Sequence, residues 1–178
     1  MFDTISEEYL NLQKDLHLRP DYGTASIGMA PEVKKIFEEN KLTSISDYGA
    51  GKCNLQKTLK ELGLKDFDYF PYDPAFVEYG EPKEADLVCC IDVLEHVEEE
   101  FMNTVFNQLK DITNKLAFFT IALQPAGKTL KDGRNAHITL KPDIWWLKFI
   151  EERFTIITLN KSPNRLKVLA QKNESSQR

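Results

Sequence analysis

Apolar residues recur along this chain with two periods, one near four and one near two, and their alternation predicts a layered architecture. Ile5, Tyr9, Leu12 and Leu16 follow the stripe of an amphipathic helix, with Thr4 and Glu7 at capping-box spacing at its start. RPDYGTASIGMA reads as a loop, after which Pro31 suits the first turn of a helix that buries Val33, Ile36 and Phe37. From Leu42 onward strands and helices alternate. TSISDYG is a strand, followed by a glycine turn and a helix with Leu55, Leu59 and Leu62 on one face, stopped by Gly63. DFDYFPYD is the second strand. ADLVCCID is the third, an unbroken apolar run of the kind that burial on both faces requires. A helix carrying Phe101, Val105, Leu109 and Ile112 leads into the strand KLAFFTIAL. Pro142 then opens a helix with Trp146, Phe149, Ile150 and Phe154 at helical spacing.

The chain closes with FTIITL, the turn NKSPN and RLKVLA. So short a link allows no crossover, so these last strands pair antiparallel. The expected fold is α/β: a doubly wound, mostly parallel sheet with an antiparallel pair at its C-terminal end. A nicotinamide-binding domain would continue with further βα units instead.

Composition narrows the picture. The 178 residues are one domain's worth, with 42% apolar and 29% charged residues. We expect residues 1–40 as an N-terminal helical lid, 41–170 as the core and 171–178 as a flexible tail. A net charge of −5 lacks the basic footprint of a general nucleic-acid or anionic-membrane binder. The three cysteines (Cys53, Cys89 and Cys90) form neither a disulfide framework nor a zinc motif, which suits a reducing compartment. The acidic start, MFDTISEEYL, is unlike a signal peptide, and the longest apolar run, Leu116 to Leu123, is far short of a membrane span. A cytoplasmic location is expected.

Candidate chemistry gathers at the strand ends. SDYGAGKCN fails as a P-loop, because Ser46 and Cys53 stand where Gly and Ser/Thr are required. It fails as a dinucleotide fingerprint because Asn54 replaces the third glycine. What remains is Asp47, Gly49 and Gly51: glycines that let backbone approach a ligand, a helix start that favours a carboxylate, and an acid that suits an ammonium. A ligand with an amino-acid moiety presents both groups. Asp73, ending the second strand, suits ribose hydroxyls. Pro74 and Phe76 suit an apolar wall for adenine. A tight βα turn with no ligand is the plainer reading of the glycines alone.

Together SISDYGAG, DYFPYDPA and ADLVCCIDVLEHV make the chain resemble the class I S-adenosylmethionine-dependent methyltransferases, in the group with a D-V-L-E-H-V type motif. KLAFFTIALQP, the antiparallel end and DGRNAHITLKPDIWWLKFIEERF also fit that group. The resemblance spans roughly residues 40–170. It implies a Rossmann-like sheet, S-adenosyl-L-methionine as cofactor, and methyl transfer to a small or medium-sized acceptor. It implies cofactor contacts from Asp47, Gly49, Gly51, Asp73, Pro74, Phe76, Ile91 and Asp92, with Tyr22 and Gly23 in the lid. The chain departs from the group in two places. Cys53 replaces a glycine of the first motif. Only twelve residues separate Asp73 from Asp86, where the group fits a helix, a strand and a helix, so one strand is expected to be missing. Adenine would then be read by backbone near Cys90–Asp92 and by Phe76.

Asp92, Glu95 and His96 stand at i, i+3 and i+4, which on a helix gives them a shared face, and Asp92 with Glu95 also has capping-box spacing. His137 follows the next strand and should reach the same crevice. His96, His137 and Asp92 are the expected catalytic residues, a histidine removing the acceptor's proton. The same residues offer two carboxylates and two imidazoles, and the small-RNA 3′-end methyltransferases bind metal with a similar cluster. The acidic pI of about 5.3 speaks against RNA, and no metal is assigned. Arg134, Asn135 and Trp145 are expected to contact the acceptor, while His17 reads as a surface or satisfied core residue. Lys128 and Lys131 read as solvated. The rival readings are a non-catalytic nucleoside-binding module, another nucleotide-dependent enzyme on the same sheet, and a metal-assisted RNA-end methyltransferase.

Overall fold

A computed structural model describes residues 4–173. The elements in chain order are α1 (Glu7–His17), α2 (Ala25–Glu39), β1 (Ser44–Tyr48), α3 (Asn54–Glu61), β2 (Asp68–Tyr72), β3 (Ala85–Ile91), α4 (Met102–Ile112), β4 (Thr113–Ala122), α5 (Asp143–Glu151), β5 (Phe154–Ser162) and β6 (Arg165–Lys172). The six strands form one sheet in the order β2-β1-β3-β4-β6-β5. The first four are parallel, and β6 runs antiparallel to both β4 and β5. This is the mixed, doubly wound sheet that the alternation of periods predicts.

Strand β3 lies in the middle and is buried along its whole length. Its pleat divides the core, since successive side chains point to opposite faces. Val88 and Cys90 pack with Val105, Phe106, Trp146 and Ile150 of α4 and α5. Leu87, Cys89 and Ile91 pack with Val33, Phe37, Leu55 and Leu59 of α2 and α3. A third, smaller cluster joins Tyr9 and Leu16 of α1 to Leu130 and Ala136 of the loop after β4.

The missing strand is confirmed: β2 is an edge, and its link to β3 contains only a 3-10 turn, Val77–Tyr79. Several boundaries differ from expectation. The cap of α1 is Ser6, whose hydroxyl accepts from Tyr9 N–H, and not Thr4; Glu98 in turn accepts from Ser6 N–H and Oγ–H. Helix α2 begins at Ala25, so Pro31 lies inside it and the supposed loop is a full turn and a half shorter. Ala30 is fully buried with Val33 and Phe37, and this burial outweighs the one hydrogen bond that proline removes. Because α2 covers the sheet, the roof of the site is α1 and the turn after it rather than all of residues 1–40. Phe154 does not extend α5 but starts β5. Gln171 and Lys172 belong to β6 and Asn173 N–H donates to the Arg153 carbonyl; the rest of the expected tail, 174–178, lies outside the described residues. No helix among the described residues is long and apolar enough to cross a membrane.

Candidate active site

The parallel strands end at a common edge, and there a cavity of about 700 Å³ opens. Cavities of this size accommodate a nucleoside-sized ligand. Its floor is Asp47–Gly51 after β1, Asp73–Ala75 after β2 and Ile91–Val93 after β3. Helix α1 roofs it with Tyr9, Gln13 and His17, followed by Tyr22 and Gly23. Ala136, His137 and the hairpin residues Asn164 and Arg165 close the other side.

The turn after β1 is held by backbone. Gly49 N–H and Ala50 N–H both donate to the Tyr72 carbonyl, at 2.8 and 2.9 Å. Gly49 has φ +82°, and a Cβ there would lie 2.3 Å from Val93 Cγ2, so only glycine fits. Cys53 takes the left-handed conformation at the start of α3 and supplies no side-chain cap, leaving the first N–H groups of that helix without a side-chain partner there. Asp73 is the hub. Its Oδ2 accepts from Gly51 N–H at 3.0 Å, its Oδ1 accepts from Ala75 N–H at 2.9 Å, and His17 Nε2 stands 3.9 Å from Oδ2. Burial raises the Asp73 pKa, with His17 and two backbone N–H groups opposing it, and burial lowers that of His17, with Asp73 opposing it. Asp47 lies below, accepting a hydrogen bond from the Tyr69 hydroxyl. Burial, with Asp73 adding to it, pushes its carboxyl up to about 7 despite that bond.

The other side of the cavity is built of imidazoles. His96 Nδ1 faces the Ala136 carbonyl at 2.8 Å, and His137 Nδ1 faces the Gln124 carbonyl at 2.6 Å. Carbonyls only accept, so each ring carries its proton on Nδ1 and presents an Nε2 lone pair. The rings meet edge to face with centroids 4.9 Å apart, and the Tyr22 ring stands edge-on to His96. Burial, with His137 beside it, lowers His96 to about 3, keeping it neutral. Glu95 is fully buried behind the pair; burial first, then Asp92, raises its carboxyl to about 8.

Several expectations are corrected. Asp92, Glu95 and His96 do not share a helical face: Asp92 has φ +51° and the next residues form a 3-10 turn, Leu94–His96. Asp92 and Glu95 make no capping box either; Glu95 Oε1 instead accepts from Ala122 N–H at the end of β4. Asp92 lines the cavity, but its oxygens are taken by Arg165 Nη2 and Thr120 Oγ1, both at 2.6 Å, which makes it a structural anchor rather than a catalytic acid. Phe76 does not line the cavity; it stacks on Tyr79 and meets the edge of His17. Arg134 is outside as well, paired with Asp132 at 2.6 Å and Glu8 at 3.8 Å. Asn135 spends its side chain on Ala126 and on His137 N–H, so it positions the histidine loop. Trp145 packs on Trp146 and Phe149 and does not line the cavity. Lys131 is exposed, as expected, and pairs with Asp15, whereas Lys128 is largely covered and ties that loop to Asp21.

Sequence reasoning passed over His17, Gln13 and Arg165. Arg165 lies in the hairpin and reaches Asp92 only through β6 pairing. The signal for His17 was its place beside the apolar stripe of α1, which becomes informative only once α1 is known to roof the crevice.

Solved structures share this fold. A magnesium protoporphyrin IX methyltransferase from Synechocystis PCC 6803, with S-adenosylhomocysteine bound, is 14% identical over 93% of this chain and 97% of its own, with a TM-score of 0.61. The chain has the class I methyltransferase fold. A Burkholderia thailandensis 1,6-didemethyltoxoflavin-N1-methyltransferase, bound to 1,6-didemethyltoxoflavin and S-adenosylhomocysteine, is 13% identical over 96% of this chain and 91% of its own, with a TM-score of 0.67. The DhpI–S-adenosylhomocysteine complex is 10% identical over 96% of this chain and all of its own, with a TM-score of 0.62. No family model matches the sequence, and no curated protein matches it by sequence. Identities this low speak for the fold of the class I methyltransferases.

Proposed function

We propose that this protein is an enzyme that binds S-adenosyl-L-methionine in the crevice and transfers its methyl group to a small or medium-sized molecule through an oxygen or nitrogen atom. The observation that carries the reading is the pairing of two features in one cavity. One is a glycine turn with Asp73 and Asp47; the other is a pair of imidazoles whose Nε2 atoms have no protein partner. The residues fit the cofactor. Gly51 and the open start of α3 suit the methionine carboxylate, and Asp47 suits the ammonium. Each Asp73 oxygen keeps a second acceptor position for a ribose hydroxyl. The buried, unpartnered His17 Nδ1 offers the ligand one more polar contact. Ile91 and Pro74 furnish apolar walls, and Tyr22 and Gly23 cover the opening.

Bound there, the cofactor supplies an electrophilic methyl group: the acceptor's lone pair forms the new bond to carbon while the carbon–sulfur pair returns to sulfur. The chain's own part is to place the acceptor in line and take its proton. His137 Nε2 suits that role, since His137 lines both the main cavity and the smaller cleft beside Glu98–Glu100. Asn135 and the Gln124 carbonyl hold the ring in the productive tautomer. The solved neighbours act on compounds as unlike as magnesium protoporphyrin IX and 1,6-didemethyltoxoflavin, so the fold leaves the acceptor open. The three unpaired cysteines suit a reducing, cytoplasmic setting.

Calorimetry with S-adenosylhomocysteine tests the reading, with micromolar affinity expected, near about −8 kcal/mol. A screen of cell-extract metabolites with labelled methyl donor then finds the acceptor. Absence of binding ends the methyltransferase reading. Tight binding with no acceptor in any extract favours a nucleoside-binding module instead.

A further inference from the structure

Glu95, His96 and His137 have a chemistry that proton transfer uses only in part. One carboxylate oxygen and one nitrogen from each ring lie within 4.8 Å of one another. The Nδ1 atoms are committed to the Ala136 and Gln124 carbonyls, which leaves the two Nε2 lone pairs. Glu95 Oε1 accepts from Ala122 N–H, while Oε2 is buried without any partner. The three side chains therefore converge, and neither Glu95 Oε2 nor either Nε2 atom has a protein partner among the described residues. A buried polar atom without a partner is costly, and a cation shared by the three would supply one.

We propose that Glu95, His96 and His137 bind a divalent transition-metal ion of the zinc, cobalt or iron class through one carboxylate oxygen and the two Nε2 atoms. Two imidazoles and one carboxylate suit such borderline ions better than magnesium or calcium, which prefer oxygen ligands throughout. The surroundings match what ligand histidines need, because a carbonyl on each Nδ1 fixes both tautomer and ring orientation. The two ligand segments are also tied together: Thr139 N–H donates to the Glu95 carbonyl at 3.1 Å, and Thr139 Oγ donates to the Val97 carbonyl at 2.6 Å. Atoms bound to one ion at about 2.1 Å lie at most about 4.2 Å apart. Neighbouring ligands on a tetrahedral ion lie about 3.4 Å apart, so capture draws the widest pair in by about an ångström or more, a movement that rotation of the partly buried His137 ring supplies. Asp92 is excluded as a ligand by its ion pair with Arg165.

His96 and His137 line the cavity and Glu95 lies behind them, so the remaining coordination positions face the cavity. The use of the ion rests on the methyl-transfer reading, whereas its binding does not. An acceptor hydroxyl at an open position would be acidified by the ion, and the imidazoles would then act as ligands in place of proton acceptors.

The experiment uses untagged full-length protein, stripped with a chelator and desalted, then titrated with Co²⁺ under visible absorption and calorimetry. The expected result is one Co²⁺ per chain, with d–d absorption that Zn²⁺ abolishes. His137→Ala and Glu95→Gln should each weaken binding by at least about tenfold, with folding checked by circular dichroism. His137 is only partly buried, so its variant keeps the test decisive should Glu95→Gln fail to fold. Arg134→Ala, outside the cluster, should bind Co²⁺ like the wild type. Two results would overturn the site: no binding up to about 1 mM Co²⁺, or binding that both substitutions leave unchanged. Parallel titration with S-adenosylhomocysteine separates the two readings. Binding of that ligand without Co²⁺ removes the metal site alone, and binding of Co²⁺ without it removes the methyltransferase reading alone.

Discussion

The two halves of the crevice are built on opposite principles. On the side proposed for the cofactor most polar groups already have partners: Asp73 holds two backbone N–H groups, Asp47 holds the Tyr69 hydroxyl, and the glycine turn is fastened to Tyr72, with His17 Nδ1 the exception. On the acceptor side the lone pairs of His96 and His137 and one Glu95 oxygen have no protein partner among the described residues. The first half rests on the ends of parallel strands, the second on a 3-10 turn and a long loop. A half whose polar groups are mostly partnered suits a ligand that never changes. A half with unspent lone pairs suits the reacting group, because a donor or cation must arrive to complete it.

The largest expected effect lies on the unspent side. His137→Ala should lower methyl transfer by roughly 10²–10⁴-fold, the usual worth of a positioned base. Affinity for S-adenosylhomocysteine should change by less than about tenfold, since no cofactor contact is assigned to that ring. Single-turnover rates and calorimetry on one preparation measure both. Transfer that survives the substitution would show that positioning alone carries the reaction, and the contrast between the halves would lose its chemical meaning.

The satisfied side should respond in binding. Asp73→Ala removes the acceptor proposed for ribose, and a hydrogen bond to a charged group is worth roughly 1.5–3 kcal/mol, about 10- to 150-fold in Kd. It also leaves Gly51 and Ala75 N–H unpaired, so the melting temperature should fall. Asp73→Asn keeps one acceptor and should recover part of both losses. If the Ala variant binds S-adenosylhomocysteine as tightly as the wild type, Asp73 serves the turn and not the ligand.

The same contrast explains what the sequence made legible. The parallel core was readable because ADLVCCI carries its burial in every residue, and burial on both faces admits few architectures. The lost strand was readable from the short interval after Asp73. The acceptor side was only half readable. His96 and His137 were placed at the crevice by their positions after β3 and β4, but the ion pair that occupies Asp92 was not legible, because its partner Arg165 lies 73 residues away in a hairpin. Trp145 was placed at the pocket because adjacent tryptophans diverge on a helix, yet both remain in the layer formed by α4 and α5. His17 was missed for a similar reason: nothing local reveals that α1 folds back over the strand ends.

A pH experiment sharpens the comparison within the cofactor side. Burial holds the Asp47 carboxyl at about 7 in the folded chain, against about 3.9 when unfolded. The folded state therefore holds this proton more tightly. The stability Asp47 contributes is fully present below about pH 4 and is lost as pH rises through about 7. A ligand ammonium reverses the preference, because it pairs with the carboxylate and expels the proton. Affinity for S-adenosylhomocysteine should accordingly fall by about tenfold per unit well below pH 7. Near neutrality the binding enthalpy should vary with the ionisation enthalpy of the buffer. Asp47→Asn should flatten both dependences. Proton release that persists in that variant would assign the linked proton to another group.

The smallest expected effect concerns the outer boundary of the acceptor side. Arg134 was a natural candidate for an acidic acceptor, since its guanidinium suits a carboxylate or phosphate. In the structure its charge is spent on Asp132 and Glu8, its guanidinium lies 5.8 Å from the centre of the Tyr9 ring, and it lies outside the main cavity. Exposed pairs of this kind contribute little, because water and salt screen them. Arg134→Ala should therefore leave kcat and KM within about twofold of the wild type, with cofactor affinity unchanged. Steady-state kinetics on the acceptor found by the labelled-methyl screen decides the point, and an anionic acceptor makes the most demanding test. A tenfold rise in KM without a change in kcat would show that the acceptor extends across the loop onto this arginine. The acceptor side would then reach past His137 into the cleft lined by Glu98, Glu99 and Glu100, where an anion meets three acids and needs Arg134 to balance them.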